Sequence, residues 1–169
     1  MNNQQSSLCL WSRRMLSSTI LASLIIFATI AYSVYSFFQN DETTRFIVIV
    51  AIVILSLLWL LAALQTPRSV KVSTEQVRIK LLLNSVRIYR DEISKIEHYP
   101  SGMASMRIVG MGHFFGNVGL FYSEVCGRYY SLVTNEQDIV LIYRYTKKPI
   151  AVSVADPTIF SVITSVEKK

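Results

Sequence analysis

The residue types that most often carry metal or thiol chemistry are few in this sequence and far apart. There are two histidines, His98 and His113, and two cysteines, Cys9 and Cys126. A structural zinc site needs about four nitrogen or sulfur ligands at close, regular spacing, and these residues show none. We therefore expect no metal and no cofactor. Two isolated cysteines are most simply reduced thiols.

All the glycines fall in one stretch, between Gly102 and Gly127. Their spacing matches neither a phosphate-binding loop nor a dinucleotide-binding loop. It predicts tight turns, bulges and positive φ angles in a strand-rich segment. A loop that binds a protein partner is the alternative, because large side chains stand among these glycines. The candidate partner loop consists of Met111, His113, Phe114 and Phe115.

The hydroxyl and carboxyl groups do not form a recognisable catalytic pattern. No serine lies in a Gly-x-Ser-x-Gly motif. Asp91 and Glu92 are adjacent, and neighbours on a strand point to opposite faces, so they do not converge on one substrate. We expect a protein that is not an enzyme and has no catalytic residues.

The composition points to a membrane instead. Of the 169 residues, 51% are hydrophobic and only 17% are charged. No charged residue interrupts the 26 positions between Arg14 and Asp41 or the 22 between Arg45 and Arg68. About 20 residues of helix cross about 30 Å of hydrocarbon. We predict transmembrane helices at residues 16–38 and 46–65, joined by a short external loop at residues 39–45.

Two other interpretations of the apolar runs are weaker. A cleaved signal peptide has an apolar core of only about 7–15 residues, much shorter than the first run. A buried helical hairpin in a soluble protein would need more chain to cover it than the remaining residues supply. Neither predicted helix contains Asp, Glu, Lys, Arg or His, which argues against a transport path through this chain.

Basic residues near the helix ends indicate the orientation. Arg13 and Arg14 precede the first helix, several Lys and Arg follow the second, and the loop between them has Arg45 alone. Because basic residues favour the cytoplasmic side, both termini should be cytoplasmic. Residues 1–15 then form a cytoplasmic segment and residues 66–169 a cytoplasmic domain.

The part after the second helix alternates apolar and polar residues, which is typical of half-buried strands. Short strands at nearly regular spacing predict an antiparallel barrel or sandwich. Asp156 and Pro157 suit the start of a helix, and its apolar face would hold Ile159, Val162, Ile163 and Val166. The predicted strands cover residues 70–72, 77–81, 86–90, 93–98, 103–109, 120–122, 128–133, 139–145 and 150–154.

Three stretches, residues 77–97, 114–122 and 138–157, resemble bacterial pleckstrin-homology-like (PH-like) domains on membrane-anchored proteins. The resemblance covers about residues 66–166. It implies a membrane-anchored α+β protein in which two transmembrane helices precede an antiparallel PH-like β-barrel with a C-terminal helix. It also implies a multi-pass protein of the bacterial inner membrane, and it carries no catalytic residues with it.

Strand parity then predicts a basic, membrane-facing surface. If Val77, Ile79, Val86 and Ile88 point inward, the cations between them point outward. The predicted basic surface consists of Lys71, Arg78, Lys80 and Arg87. An ordinary solvated strand face, attraction to the anionic leaflet and binding of a lipid headgroup all remain open.

The function we expect is that of a membrane-tethered, non-enzymatic PH-like interaction module. It would present a basic cytoplasmic domain to a protein partner or to a second copy of itself. The alternative is a sensor of anionic lipid or of the membrane surface, and a third possibility is a subunit of a membrane enzyme or transport complex. The lipid bilayer is an expected partner, and nucleic acid is not.

The predicted topology can be tested with a reporter that is active only outside the cytoplasm. Fused after Lys169, such a reporter should stay inactive, and strong activity there would contradict the orientation. Replacing Arg13 and Arg14 with alanine should disturb the orientation more than replacing Arg45, because flanking cations determine it.

Overall fold

The computed structural model describes residues 5–38, 42–99, 103–112 and 114–164. Two long helices, α1 (Arg13–Phe37) and α2 (Glu42–Leu64), lie between a first strand and a domain of further strands. The strands and the final helix are β1 (Gln5–Leu8), β2 (Ser69–Val72), β3 (Gln76–Lys80), β4 (Ser85–Tyr89), β5 (Ile93–Tyr99), β6 (Met106–Met111), β7 (Asn117–Ser123), β8 (Gly127–Val133), β9 (Ile139–Arg144), β10 (Ile150–Ser153) and α3 (Ser161–Thr164).

Both long helices form where the uncharged runs predict them. α1 begins before the predicted residue 16, because the Ser12 side chain caps it by accepting from the Met15 N–H at 3.2 Å. Arg45, assigned to the loop, lies in α2, and its guanidinium stands 5.4 Å from the centre of the Phe37 ring. Residues 39–41 of the predicted loop lie outside the described residues. Both helices are long and apolar enough to cross a membrane, with mean hydropathy of 2.0 and 3.2.

The helices contact each other along their length as an antiparallel pair. The Trp59 indole N–H donates to the Ser23 hydroxyl at 3.2 Å, and the Trp59 ring lies edge-on to Phe27. The rest of their surface is largely exposed.

The predicted closed barrel is wrong, because the strands form two separate sheets. One has four strands in the order β1-β2-β3-β4, and the other has six in the order β5-β9-β10-β8-β7-β6. A 3₁₀ turn at Arg90–Glu92 separates β4 from β5 and carries the chain from the first sheet to the second. Period-two alternation identifies the faces of strands but not which edges meet, so it did not distinguish these arrangements.

Each of the nine predicted stretches overlaps a strand of the structure, and β1 is an addition that alternation did not predict. β1 pairs antiparallel with β2, with Ser7 opposite Val70 and Leu8 opposite Ser69. The residues before α1 therefore belong to the same sheet as the residues after α2. The six-stranded sheet also departs from the antiparallel prediction, because β10 runs parallel to β8.

The two sheets share one main core. Val70, Val77 and Ile79 from the first sheet are fully buried against residues of β9 and β10. A second cluster lies on the opposite face of β9 and β10, so both faces of these strands are buried. It contains Phe121, Tyr129, Val133, Ile139, Leu141 and Ala151.

The C-terminal helix is confirmed as a short element that joins the main core. The Asp156 carboxylate accepts from the Thr158 N–H at 2.9 Å, and a 3₁₀ turn at Pro157–Phe160 leads into α3. Ile159 and Ile163 are buried, and Val162 packs against the same cluster. Val166, the last residue of the predicted apolar face, lies outside the described residues.

The burial of Cys9 predicts unequal reactivity of the two thiols. Cys9 lies in the main core and burial raises its pKa to about 12, whereas Cys126 is only half-buried. The thiolate is the reactive form, so at mildly alkaline pH an alkylating reagent should modify Cys126 much faster than Cys9. Mass spectrometry of the folded chain measures both rates, and equal rates would contradict the placement of Cys9. After denaturation in urea the two rates should converge.

Candidate functional site

The tip of the β6–β7 hairpin contacts α2 and the segment before α1 through an aromatic junction, which consists of Trp11, Trp59, Phe114 and Phe115. The Phe115 ring lies 6.2 Å from Trp11 and 5.6 Å from Trp59, edge-on to both, and 4.7 Å from Phe114. Aromatic pairs favour this geometry because the positive edge of one ring meets the negative face of the other. The junction holds the sheet domain against the ends of α1 and α2 that face it.

A buried hydroxyl on α1 completes this contact. The Phe115 N–H donates to the Thr19 hydroxyl at 3.1 Å, and this hydroxyl donates to the Met15 carbonyl at 2.8 Å. Thr19 and Met15 are the buried residues of α1. Phe115 has a φ of 58°, a conformation that a bulky side chain rarely adopts. The ring contacts and the hydrogen bond together stabilise this conformation.

A pair of glycines shapes the hairpin that carries the junction. Gly110 on β6 lies opposite Gly119 on β7, and both have φ near +130°. A Cβ atom on Gly110 would lie 2.3 Å from the Val118 carbonyl oxygen, and one on Gly119 would lie 2.4 Å from that of Val109. Only glycine at both positions permits this approach. The bulges and positive φ angles expected for this segment are present.

The segment before α1 is fixed to the sheet domain by hydrogen bonds from several elements. The Ser12 N–H donates to the Thr134 carbonyl at 3.0 Å, and the Thr134 hydroxyl donates to the Leu10 carbonyl at 3.1 Å. The Ala155 N–H donates to the Leu8 carbonyl at 2.9 Å. These hydrogen bonds tie the start of α1 to the sheet domain.

The structure brings the four predicted basic residues together on the outer face of the first sheet. We call Lys71, Arg78, Lys80 and Arg87 the basic patch. Lys71 lies directly opposite Arg78, and Arg78 directly opposite Arg87, so three cations form one row across β2, β3 and β4. Lys80 lies one row nearer to the end of α2, between Ser69 and Ser85.

Positive charges around the basic patch greatly outnumber negative ones. Between residues 66 and 89 the chain has five Lys and Arg and one acidic residue, Glu75, in the β2–β3 turn at the far end of the strands. None of the ion pairs between described residues involves the basic patch. Like charges directly opposite each other destabilise a sheet. An anionic surface would relieve this repulsion.

Part of the predicted partner loop packs against the rest of the chain instead of being exposed to a partner. Phe115 packs within the chain, Phe114 contacts its ring edge-on, and Met111 ends β6 with partial exposure. His113 lies outside the described residues. Binding of a partner by this loop stays a prediction, and the packing of Phe115 on both tryptophans is the feature that sequence reasoning missed.

One polar cluster elsewhere has shifted pKa values. Hydrogen bonds from Lys95, Tyr99 and Tyr143 lower the pKa of Glu97. Burial is the main cause that raises the pKa of both tyrosines. At neutral pH the carboxylate is thus ionised and the phenols are protonated, so none of them changes protonation there. The cluster is a stable hydrogen-bonded group on β5 and β9.

No group of three or more His, Cys, Asp or Glu within the described ranges could hold a metal ion. The same part of the chain contains a polar cavity of about 350 Å³ beside the second core cluster, lined by residues that include Ser105, Asn117 and Glu136. In this lining the Asn117 side-chain amide donates to the Glu136 carboxylate at 3.3 Å, and the Ser131 hydroxyl donates to the Asn117 carbonyl at 2.7 Å.

Comparison with known families agrees with the fold. The sequence pattern of the family described as Bacterial PH domain matches residues 68–166. The chain belongs to this family, which confirms the resemblance drawn from residues 77–97, 114–122 and 138–157. PH-like domains are generally non-enzymatic interaction modules. No curated protein matches the chain, and no solved structure does. β1, α1 and α2 lie outside the matched residues.

The junction can be tested by removing one hydroxyl. Thr19→Val keeps the shape of the side chain but leaves the Phe115 N–H without its acceptor, which should cost about 1–3 kcal/mol of unfolding free energy. Urea unfolding of the full chain in mild detergent measures this. Emission from Trp11 and Trp59, the two tryptophans of the chain, reports on the junction directly.

Thr29→Val is the matched control. Thr29 is exposed on the same helix, and its hydroxyl donates to the Ile25 carbonyl at 2.8 Å, as Thr19 does to Met15. It should change stability and tryptophan emission little. Similar effects of the two variants would show that stability depends on the bond from the threonine hydroxyl to the helix carbonyl. The hydrogen bond from Phe115 to Thr19 would then contribute little.

Proposed function

We propose that this chain is a membrane-anchored, non-enzymatic interaction module of the bacterial cytoplasmic membrane. α1 and α2 hold it in the bilayer with both termini in the cytoplasm, and the PH-like domain presents the row of Lys71, Arg78 and Arg87 in its basic patch to an acidic surface of a protein partner. The row of Lys71, Arg78 and Arg87 is the observation that carries this proposal.

The anchoring role is supported by the lengths and surfaces of the helices. Most of α1 and α2 is exposed and apolar, which is costly in water and favourable in lipid. Beyond Thr19, α1 continues for 18 residues to Phe37, about 27 Å at 1.5 Å per residue. Trp59 on α2 contacts Phe115 of the aromatic junction as well as Ser23 and Phe27 of α1, and tryptophan favours the interface between lipid and water.

The partner role is supported by the repulsion between the cations of the basic patch, which lowers the stability of the free domain. Three cations in one row repel one another at cross-strand Cα separations of about 5 Å, roughly 0.2–1 kcal/mol per pair. The residues beneath them are fully buried, so the sheet cannot rotate the cations apart. A ligand with matching negative charge removes this cost on binding, which favours complex formation.

A charge-neutralised variant tests the partner role. Lys71→Gln, Arg78→Gln and Arg87→Gln together should abolish co-purification of the partner from mild detergent. The wild-type complex should dissociate at ~0.5 M salt, where the screening length is well below 10 Å. Unfolding free energy should stay equal or rise, because repulsion is relieved. A partner retained by this variant would contradict the proposal.

The control removes the same number of charges elsewhere. Arg107, Arg128 and Lys148 are exposed and lie in the part of the domain formed by β6, β8 and the β9–β10 connection. Replacing these three with glutamine should leave the partner bound. Loss of the partner in both triple variants would indicate a dependence on net charge alone.

A second candidate, binding to the anionic leaflet, is favoured by the location of Lys80. β2 begins at Ser69, five residues after α2 ends, and Ser69 lies opposite Lys80. Cations near the bilayer surface gain about 1 kcal/mol each from anionic lipid. In this case Lys71 and Lys80 should be acetylated more slowly in anionic than in neutral nanodiscs, with Lys148 unaffected. Equal rates in both lipids would leave the protein partner as the ligand.

A further inference from the structure

The turn between β3 and β4 exposes two leucines. Leu83 is 79% exposed and Leu82 38% exposed. The turn itself is well formed, because the Leu81 N–H donates to the Asn84 carbonyl at 2.9 Å and the Asn84 side chain accepts from the Ser85 N–H at 2.7 Å. We call residues 81–84 the leucine turn. Its apolar side chains are held outward by a regular hairpin.

The leucine turn lies beside the end of α2. The Arg68 N–H donates to the Lys80 carbonyl at 2.8 Å, so the last residue of β3 adjoins the link between α2 and β2. Leu82 lines a cavity of about 440 Å³ together with Ala63, in the last turn of α2, and with Thr66. Trp11 and Phe115 of the aromatic junction line the same cavity.

The charges around the leucine turn suit a lipid surface. Arg68 and Lys80 flank it, and Glu75, the one acidic residue between residues 66 and 89, is at the opposite end of β2 and β3. Apolar side chains with cations beside them match the boundary between acyl chains and anionic headgroups.

We infer that the leucine turn inserts into the surface of the same leaflet that α2 leaves, with Leu82 and Leu83 among the acyl chains and Arg68 and Lys80 at the lipid phosphates. This inference rests on the proposed anchoring by α1 and α2. The turn would be a third attachment to the bilayer, about 5–10 Å deep. Three attachments determine the tilt of the sheet domain, and with it the direction in which the row of Lys71, Arg78 and Arg87 faces.

The fold supplies a matched control at the other end of the domain. β7 starts at Asn117, next to the aromatic junction, and ends at Ser123, so the β7–β8 turn lies away from the helices. This turn exposes Val125, which is 56% exposed. It is an apolar side chain on a hairpin turn, as Leu83 is, without a bilayer nearby in the proposed arrangement.

The experiment measures contact of single labelled sites with lipid. The full chain carries Cys126→Ser and one of Leu83→Cys, Val125→Cys or Val53→Cys, the last on the exposed surface of α2. Each is labelled with an environment-sensitive fluorophore and reconstituted in vesicles of equal parts phosphatidylcholine and phosphatidylglycerol. Brominated acyl chains then quench labels that touch lipid.

We expect strong quenching at Val53 and Leu83 and several-fold weaker quenching at Val125. A label on Asn84→Cys should also be quenched, and should lose most of this quenching when Leu82→Ser and Leu83→Ser are added. This last comparison separates insertion by the leucines from insertion driven by the fluorophore.

The outcomes distinguish this inference from the proposed function. Absence of quenching at Val53 would contradict the membrane anchor and the inference with it. Quenching at Val53 with equal, weak quenching at Leu83 and Val125 would overturn the inference and leave the anchor intact. A blue-shifted but unquenched label at Leu83 would also overturn it, because protein would then cover the turn.

Discussion

The structure depends on how the two long helices join the sheet domain. Residues 9–12 connect β1 to α1, and residues 65–68 connect α2 to β2. These links bond to each other, since the Cys9 N–H donates to the Arg68 carbonyl at 2.9 Å, and Arg68 bonds in turn to Lys80. Short links with internal hydrogen bonds leave little freedom for the helices to swing. The position of the helical pair therefore determines the position of both β1 and β2, and through them of the whole first sheet.

This arrangement explains why the fold tolerates the repulsion between the cations of the basic patch. Repulsion between neighbouring cations amounts to a fraction of a kcal/mol per pair. Val70, Val77 and Ile79 are fully buried on the other face of the same strands, and each contributes about 1.5–3 kcal/mol. Burial of these side chains therefore determines the register of β2, β3 and β4. That register places the cations of the other face directly opposite one another. Attachment of β2 to α2 keeps that row near the helix end.

Much of the fold could be predicted from the sequence, because local patterns determine it. The uncharged runs located both helices, and alternation located nine strands and their inner faces. Alternation contains no information on register, so the outward parity of Arg78 and Arg87 was predictable and their direct opposition was not. β1 was missed because Gln-Ser-Ser-Leu has no apolar alternation, and its pairing arises from tertiary contacts. The packing of Phe115 on Trp11 in the link before α1 and on Trp59 in α2 also arises from tertiary contacts, so local patterns could not predict it.

The helical pair also has a consequence for folding. Leu8 and Ser69 are paired although about 60 residues separate them. Closing a flexible loop of that length costs about 2 kcal/mol more than closing one of eight residues, at about 0.6 kcal/mol per doubling. Once α1 and α2 pair, their adjacent ends bring the two short links together. β1 then pairs with β2 at the loop-closure free energy of a short loop. β1 covers the outer edge of β2, and Cys9 fills part of the main core. Residues 68–166 without the preceding chain would therefore expose the edge of β2 and the part of the core that Cys9 covers. The segment before α1 and the PH-like domain thus share one sheet and one core.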